Sequence, residues 1–193
     1  MVDLCERWKT AFLENVQRHQ NAGQLREAAI NGQLGKWTKA LTSVVVTTCE
    51  TMGWTASAKG HKADFLPVSR GEYLGLDVLA FAGSTNQWKF PVAVMELENS
   101  RNNDHICYSL WKVLCIHTEL RIVFCYRQIS DQGPELIRFL RDHVLQALSI
   151  EERMALKGVT TVVVGSRNES ATFPYGFFKW WRLDKNTGTF ELI

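Results

Sequence analysis

Two uninterrupted apolar runs, "RIVFCYR" and "GVTTVVVGS", constrain this chain more than any other feature of its sequence. A strand that is apolar on both faces has to be covered on both. Each run follows a segment of helical length. "NDHICYSLWKVLCIHTEL" precedes the first, and "GPELIRFLRDHVLQALS", with Pro134 suited to an opening turn, precedes the second. A third apolar run, "PVAVMELENS" at residues 91 to 100, comes before both. Strand, helix, strand, helix, strand is the order of parallel β-α-β units whose helices pack on the sheet.

Upstream the pattern differs. Residues 3 to 20 read as an amphipathic helix with Leu4, Trp8, Phe12 and Val16 on one stripe. "NAGQLREAAINGQLGK" is polar and glycine-punctuated, a short helix or a connector. "WTKALTSVVVTTCETMGW" carries a β-branched run that suggests a strand. Its length, its Ala, Leu and Met, and Gly53 as a stop favour a buried helix. Strands are expected at about 54–59, 73–82 and 90–97, the last two joined by the turn-rich "GSTNQWK", and the tail reads as a hairpin around Asp184 to Gly188. An antiparallel meander feeding β-α-β units implies a three-layer α/β/α fold around a central mixed sheet. The expected organisation is an N-terminal helical segment over 1–35 and an α/β domain over 36–193, forming one compact unit of 193 residues.

Charge and motifs remove several function classes. A net charge of +2 announces no large basic field, although a local groove can be basic on a balanced protein. The five cysteines (Cys5, Cys49, Cys107, Cys115, Cys125) include no C-x-x-C pair, and most lie in apolar runs. With no secretory signal pattern, a reducing, cytoplasmic setting is expected. No stretch approaches membrane-spanning length. The histidines (His19, His61, His105, His117, His143) lack zinc-ligand spacing, no cysteine has a recognisable partner histidine, and no G-x-S-x-G, Walker loop or dinucleotide fingerprint occurs. The aromatic group "FPYGFFKWW" with Lys179 and Arg182 offers either core residues or a stacking surface for bases.

The chemistry is carried by acids set in apolar strands. In "PVAVMELENS", Glu96 and Glu98 stand at i and i+2, so they share a face with Val92 and Val94 while Ala93, Met95 and Leu97 take the other. Two carboxylates so placed repel, and burial raises the cost. Solvation at the strand end is one resolution; a basic partner, a shared proton or a bound cation are others. In the preceding strand, "GEYLGLDVLAF", a single acid, Asp77, interrupts an apolar run and needs a partner of its own. If the two strands are neighbours, Asp77, Glu96 and Glu98 form a hard-oxygen site suited to Mg²⁺ or Mn²⁺.

An acid on one strand, followed by an apolar strand that ends in two spaced acids, resembles the PD-(D/E)XK, or restriction-endonuclease-like, nuclease superfamily. The resemblance spans roughly residues 40 to 130. Asp77 matches its first acid and Glu96 its second; Glu98 stands where the family carries lysine. Two repairs are open. Glu98 itself serves as ligand or base, or Lys112, the only lysine of "HICYSLWKVLCIH", supplies the missing cation from the next helix. Against the second stands a surface lysine that merely extends its stem over apolar neighbours. Asn99, Ser100 and Arg101 could contact phosphate, with helix capping favoured for the first two. Glu50 and Glu72 are weaker candidates for a further acid. The resemblance implies a magnesium- or manganese-dependent hydrolase acting on nucleic acid, DNA foremost, with Asp77, Glu96, Glu98 and Lys112 as catalytic residues and the three acids as metal ligands. A homodimer is compatible with it. The rivals are an inactive nuclease-fold module that binds nucleic acid or protein, and a scaffold that pairs through its N-terminal helices.

Overall fold

A seven-stranded mixed sheet runs through the computed structural model, which describes residues 3–62, 66–83 and 87–193. β1 (Trp54–Ala58), β2 (Val78–Ala82), β3 (Ala93–Leu97), β4 (Leu120–Arg127), β5 (Val159–Ser166), β6 (Phe178–Asp184) and β7 (Thr189–Leu192) lie side by side in chain order. The β3–β4 and β4–β5 pairs are parallel and the other neighbours antiparallel. The fold is thus the α/β/α arrangement around a mixed sheet that the strand and helix order implies.

The helices divide between the two faces according to strand parity. α1 (Leu4–Gln17) and α3 (Leu34–Thr51) bury Trp8, Phe12, Leu41 and Val45 against Met95, Ile122, Phe124, Val163 and Trp180. On the opposite face, α4 (Asn103–Leu114) and α5 (Gln132–His143) bury Ile106, Leu110, Leu136 and Leu140 against Val94, Val123, Val162 and Val164. α2 (His19–Ile30) links α1 to α3, and the short α6 (Ile150–Ala155) precedes β5 behind a Ser149–Glu152 capping box. The β-branched run 44–46 is helical, because Val44, Val45 and Val46 all find apolar cover within α3. Side-chain burial outweighs the small helix penalty of valine.

Several boundaries are tighter than expected. The strand anticipated over 73–82 begins only at Val78, because Leu74 and Gly75 both take positive φ (57° and 64°), which no strand permits. The next begins at Ala93 rather than residue 90. Within "GSTNQWK", residues 84–86 lie outside the described residues. The tail hairpin is present: Gly188 N–H donates to the Asp184 carbonyl at 2.8 Å, and the Gly188 φ of 70° suits the turn. Phe178 and Trp180 are core residues, so the aromatic group is no stacking platform on that side.

Candidate active site

Register places the first two acids. Val78 pairs with Met95 and Leu79 with Val94, so one further step sets Asp77 opposite Glu96, on the face covered by α4 and α5. Asp77 stands one residue before β2 rather than inside it, and its carboxylate accepts the Leu97 N–H at 2.7 Å. Its charge thereby stays beside Glu96. Glu98 continues the β3 ladder, donating its N–H to the Phe124 carbonyl at 2.9 Å, and so shares the face of Glu96.

α4 supplies the basic partner. The helix is capped by Asn102, whose side chain accepts the Asp104 N–H at 2.8 Å; neither Asn99 nor Ser100 is the N-cap. Its buried residues Ile106, Leu110 and Val113 hold it on the sheet, and this orientation turns Ser109 and Lys112 toward β3. The fully buried Arg121 ties down the far end, donating to the carbonyls of Val113 (2.9 Å), Ile116 (2.7 Å) and Lys157 (2.6 Å). Burial pushes the Arg121 guanidinium down to about 10.

Lys112 Nζ lies 2.9 Å from Glu96 Oε2 and 2.8 Å from the Gly75 carbonyl, with the Tyr108 ring 5.5 Å away. The Ser109 hydroxyl is 3.3 Å from both Glu96 Oε2 and Glu98 Oε2, so one hydroxyl spans the two carboxylates. The Ser100 N–H holds Glu98 Oε1 at 2.6 Å. Glu96 is 4% exposed. Burial pushes its carboxyl up to about 6; the Asp77 charge adds to the rise, while the bond and charge of Lys112 oppose it. Glu96 Oε1 is buried and makes no hydrogen bond of ordinary geometry, although the Asp77 amide nearby offers some relief.

Asp77, Glu96 and Lys112 thus come together, and Glu98 joins them only through Ser109. Among the described residues no three Asp, Glu, His or Cys side chains gather as a metal-holding group. Glu50 is exposed at the end of α3 and Glu72 is exposed before β2; neither hydrogen-bonds to the site. Sequence reasoning missed Ser109, although its spacing of three from Lys112 puts both on one helix face. It also missed Arg121, Arg127 and Arg167, which have no local pattern.

Neither a protein-family model nor a curated protein matches the chain. Among solved structures, NucC of E. coli MS115-1 in its cAAA-bound form aligns with a TM-score of 0.46 and 13% identity, covering 100% of this chain and 84% of NucC. Similarity of that degree carries no functional argument. Among the described residues no helix is long and apolar enough to cross a membrane.

Proposed function

We propose that the chain is a divalent-metal-dependent nuclease, a variant of the PD-(D/E)XK type, that hydrolyses phosphodiester bonds of nucleic acid, with DNA as the favoured substrate. The observation that carries this reading is the Lys112–Glu96 contact of 2.9 Å. A lysine from α4 meets the second acid where the strand itself carries Glu98 instead of lysine.

The donor set suits a hard cation. Asp77 and Glu96 offer carboxylate oxygens, and the buried, unbonded Glu96 Oε1 is an acceptor that a cation would satisfy. Mg²⁺ commonly takes one or two carboxylates and completes its octahedron with water and substrate phosphate, so a third acid is not required. When bound, such a cation supplies Lewis-acid stabilisation of the phosphodiester and makes water a stronger nucleophile. Asp77, pinned by the Leu97 N–H, fixes one donor; Glu96 fixes the other. Lys112 limits the cost of ionising Glu96 and has a third N–H beyond the two committed to Glu96 and Gly75. That donor suits a phosphate oxygen. Glu98, oriented by Ser100 and Ser109, is the carboxylate placed to accept a proton from water.

A rival reading is an inactive nuclease-fold module that binds nucleic acid or protein. In its favour, Lys112 already gives Glu96 a positively charged partner without any metal ion. The deciding experiment is cleavage of single-stranded, double-stranded and branched DNA and of RNA by the purified protein with Mg²⁺, Mn²⁺, Ca²⁺ or a chelator. Cleavage that needs Mg²⁺ or Mn²⁺ and is lost in Asp77→Asn and Glu96→Gln supports the nuclease. No cleavage of any substrate, with no thermal response to Mn²⁺, supports the module. Cleavage that survives in both variants would mean that the acids lie outside the catalytic centre.

A further inference from the structure

A cleft of about 490 Å³ opens beyond the carboxyl ends of the three central strands. Three arginines line it, each from a different element: Arg101 in the loop after β3, Arg127 at the end of β4, and Arg167 directly after β5. Leu136 and Phe139 of α5 form an apolar wall. Crevices at the carboxyl ends of parallel strands are where open α/β sheets bind ligands, because helix and loop starts converge there.

The charge in this cleft is not balanced. Among the described residues none of the three arginines makes an ion pair, whereas Arg182 pairs with Asp3 and Arg141 with Asp142. Arg127 donates to the Tyr126 carbonyl and to Asn103 Oδ1, both neutral. Arg167 is held below the usual guanidinium range by burial and by the charge of Arg101, so the two cations repel across the cleft. Glu135 is the one carboxylate in the lining; it is exposed and pairs with none of them. Concave, partly buried and uncompensated positive charge is the environment that a phosphate fills, since guanidinium matches phosphate oxygens in both charge and geometry.

The cleft starts in the loop that follows the outer acid: Asn99, the residue after Glu98, lines it together with Arg101. Arg101 follows Glu98 by three residues, and the intervening Ser100 N–H binds the Glu98 carboxylate. An acidic site repels a polyanion, so a nuclease built on it needs a basic surface next to it to hold the strand. We propose that the Arg101–Arg127–Arg167 cleft binds the phosphodiester backbone of the nucleic-acid strand whose scissile bond lies at Asp77 and Glu96. This assignment of the occupant rests on the nuclease reading.

The test measures binding of a labelled single-stranded oligonucleotide by anisotropy, with chelator present so that nothing is cut, across a salt series. Arg101→Gln/Arg167→Gln should weaken binding about tenfold or more and reduce the log–log salt slope by about 1.4, the share of two phosphate contacts on a single strand. Its melting temperature should not fall, because a repulsion has been removed. Arg26→Gln/Arg138→Gln removes the same charge from exposed positions outside the cleft and should leave affinity within about twofold. An equal loss in both double variants, or no loss in the cleft variant, overturns the proposal. So does displacement of the oligonucleotide by AMP at comparable concentration, which would assign the cleft to a free nucleotide. Arginine-dependent binding without cleavage in any metal keeps the cleft and removes the nuclease reading. Cleavage with KM unchanged in the cleft variant keeps the nuclease and removes the cleft.

Discussion

Lys112 and Glu96 form an ion pair at 2.9 Å, yet the pair does not cancel the cost of burying the carboxylate. Glu96 is 4% exposed and its carboxyl remains pushed up to about 6, because burial and the neighbouring Asp77 outweigh the lysine. The energetics of a half-compensated acid of this kind can be measured directly.

Replacing Glu96 by Gln should stabilise the metal-free protein at neutral pH. A carboxyl raised from 4.5 to about 6 on folding contributes stability that is fully present below 4.5 and lost as pH rises through 6. At pH 8 the ionised form costs about 2 kcal/mol relative to the protonated one. That figure already includes the opposing pair with Lys112, so the gain is about 2 kcal/mol, or about 4–8 °C in Tm. Thermal melts should show the gain at pH 8 and none at pH 4. A variant that melts lower than the parent at pH 8 would contradict the assignment of Glu96 as a strained carboxylate.

Lys112→Ala should act in the opposite direction. It leaves the buried carboxylate without its cation, at a cost of about 1–3 kcal/mol at pH 8, below the full figure for a buried pair because Lys112 keeps some contact with water. The loss should shrink at pH 4, where Glu96 is protonated. Equal destabilisation at both pH values would reduce Lys112 to a packing residue. On the nuclease reading, activity falls by at least two orders of magnitude.

Ser109→Ala removes the one hydroxyl that Glu96 and Glu98 share. The expected cost is about 1 kcal/mol at pH 8, with the apparent titration of Glu96 moved upward because a donor to its charged form is lost. NMR titration of a carboxyl-labelled sample reads that movement. An unchanged titration would place the hydroxyl proton elsewhere.

Mn²⁺ should raise the melting temperature, by an amount equivalent to about 2.7 kcal/mol at a hundredfold excess over Kd. The effect should weaken below pH 6, where Glu96 takes up a proton that competes with the metal. Asp77→Asn should abolish the rise; a rise that persists would locate the cation elsewhere.

The N-terminal helices should not be separable from the rest. Phe12 is fully buried among Trp8, Phe124, Phe178 and Trp180, with ring centroids 5.2 to 5.6 Å away. Phe12→Ala is expected to cost about 3–5 kcal/mol. Deleting residues 1–35 should leave a chain that does not melt cooperatively. A deletion that melts cooperatively would restore a two-part organisation.

Much of this was legible locally. Apolar runs on both strand faces required cover on both sides, and "RIVFCYR" and "GVTTVVVGS" became the central β4 and β5 for that reason. Period-two alternation put Glu96 and Glu98 on one face before any coordinates, because side-chain direction in a strand depends only on parity. The start of β2 was not legible: the positive φ of Leu74 has no signature in a residue that is neither Gly nor Asn nor Asp. Other features depended on packing between distant segments. Ser109 and Lys112 reach Glu96 across 13 and 16 residues because the β3–α4–β4 crossover lays α4 over that face, at an angle set by Ile106, Leu110 and the clamp of Arg121. Arg101, Arg127 and Arg167 are up to 66 residues apart and meet only because β3, β4 and β5 end at the same edge of the sheet. Strand parity is a property of neighbouring residues, and the sequence by itself determines it; the convergence of charges from separate elements is decided by register and crossover, which exist only in the folded sheet.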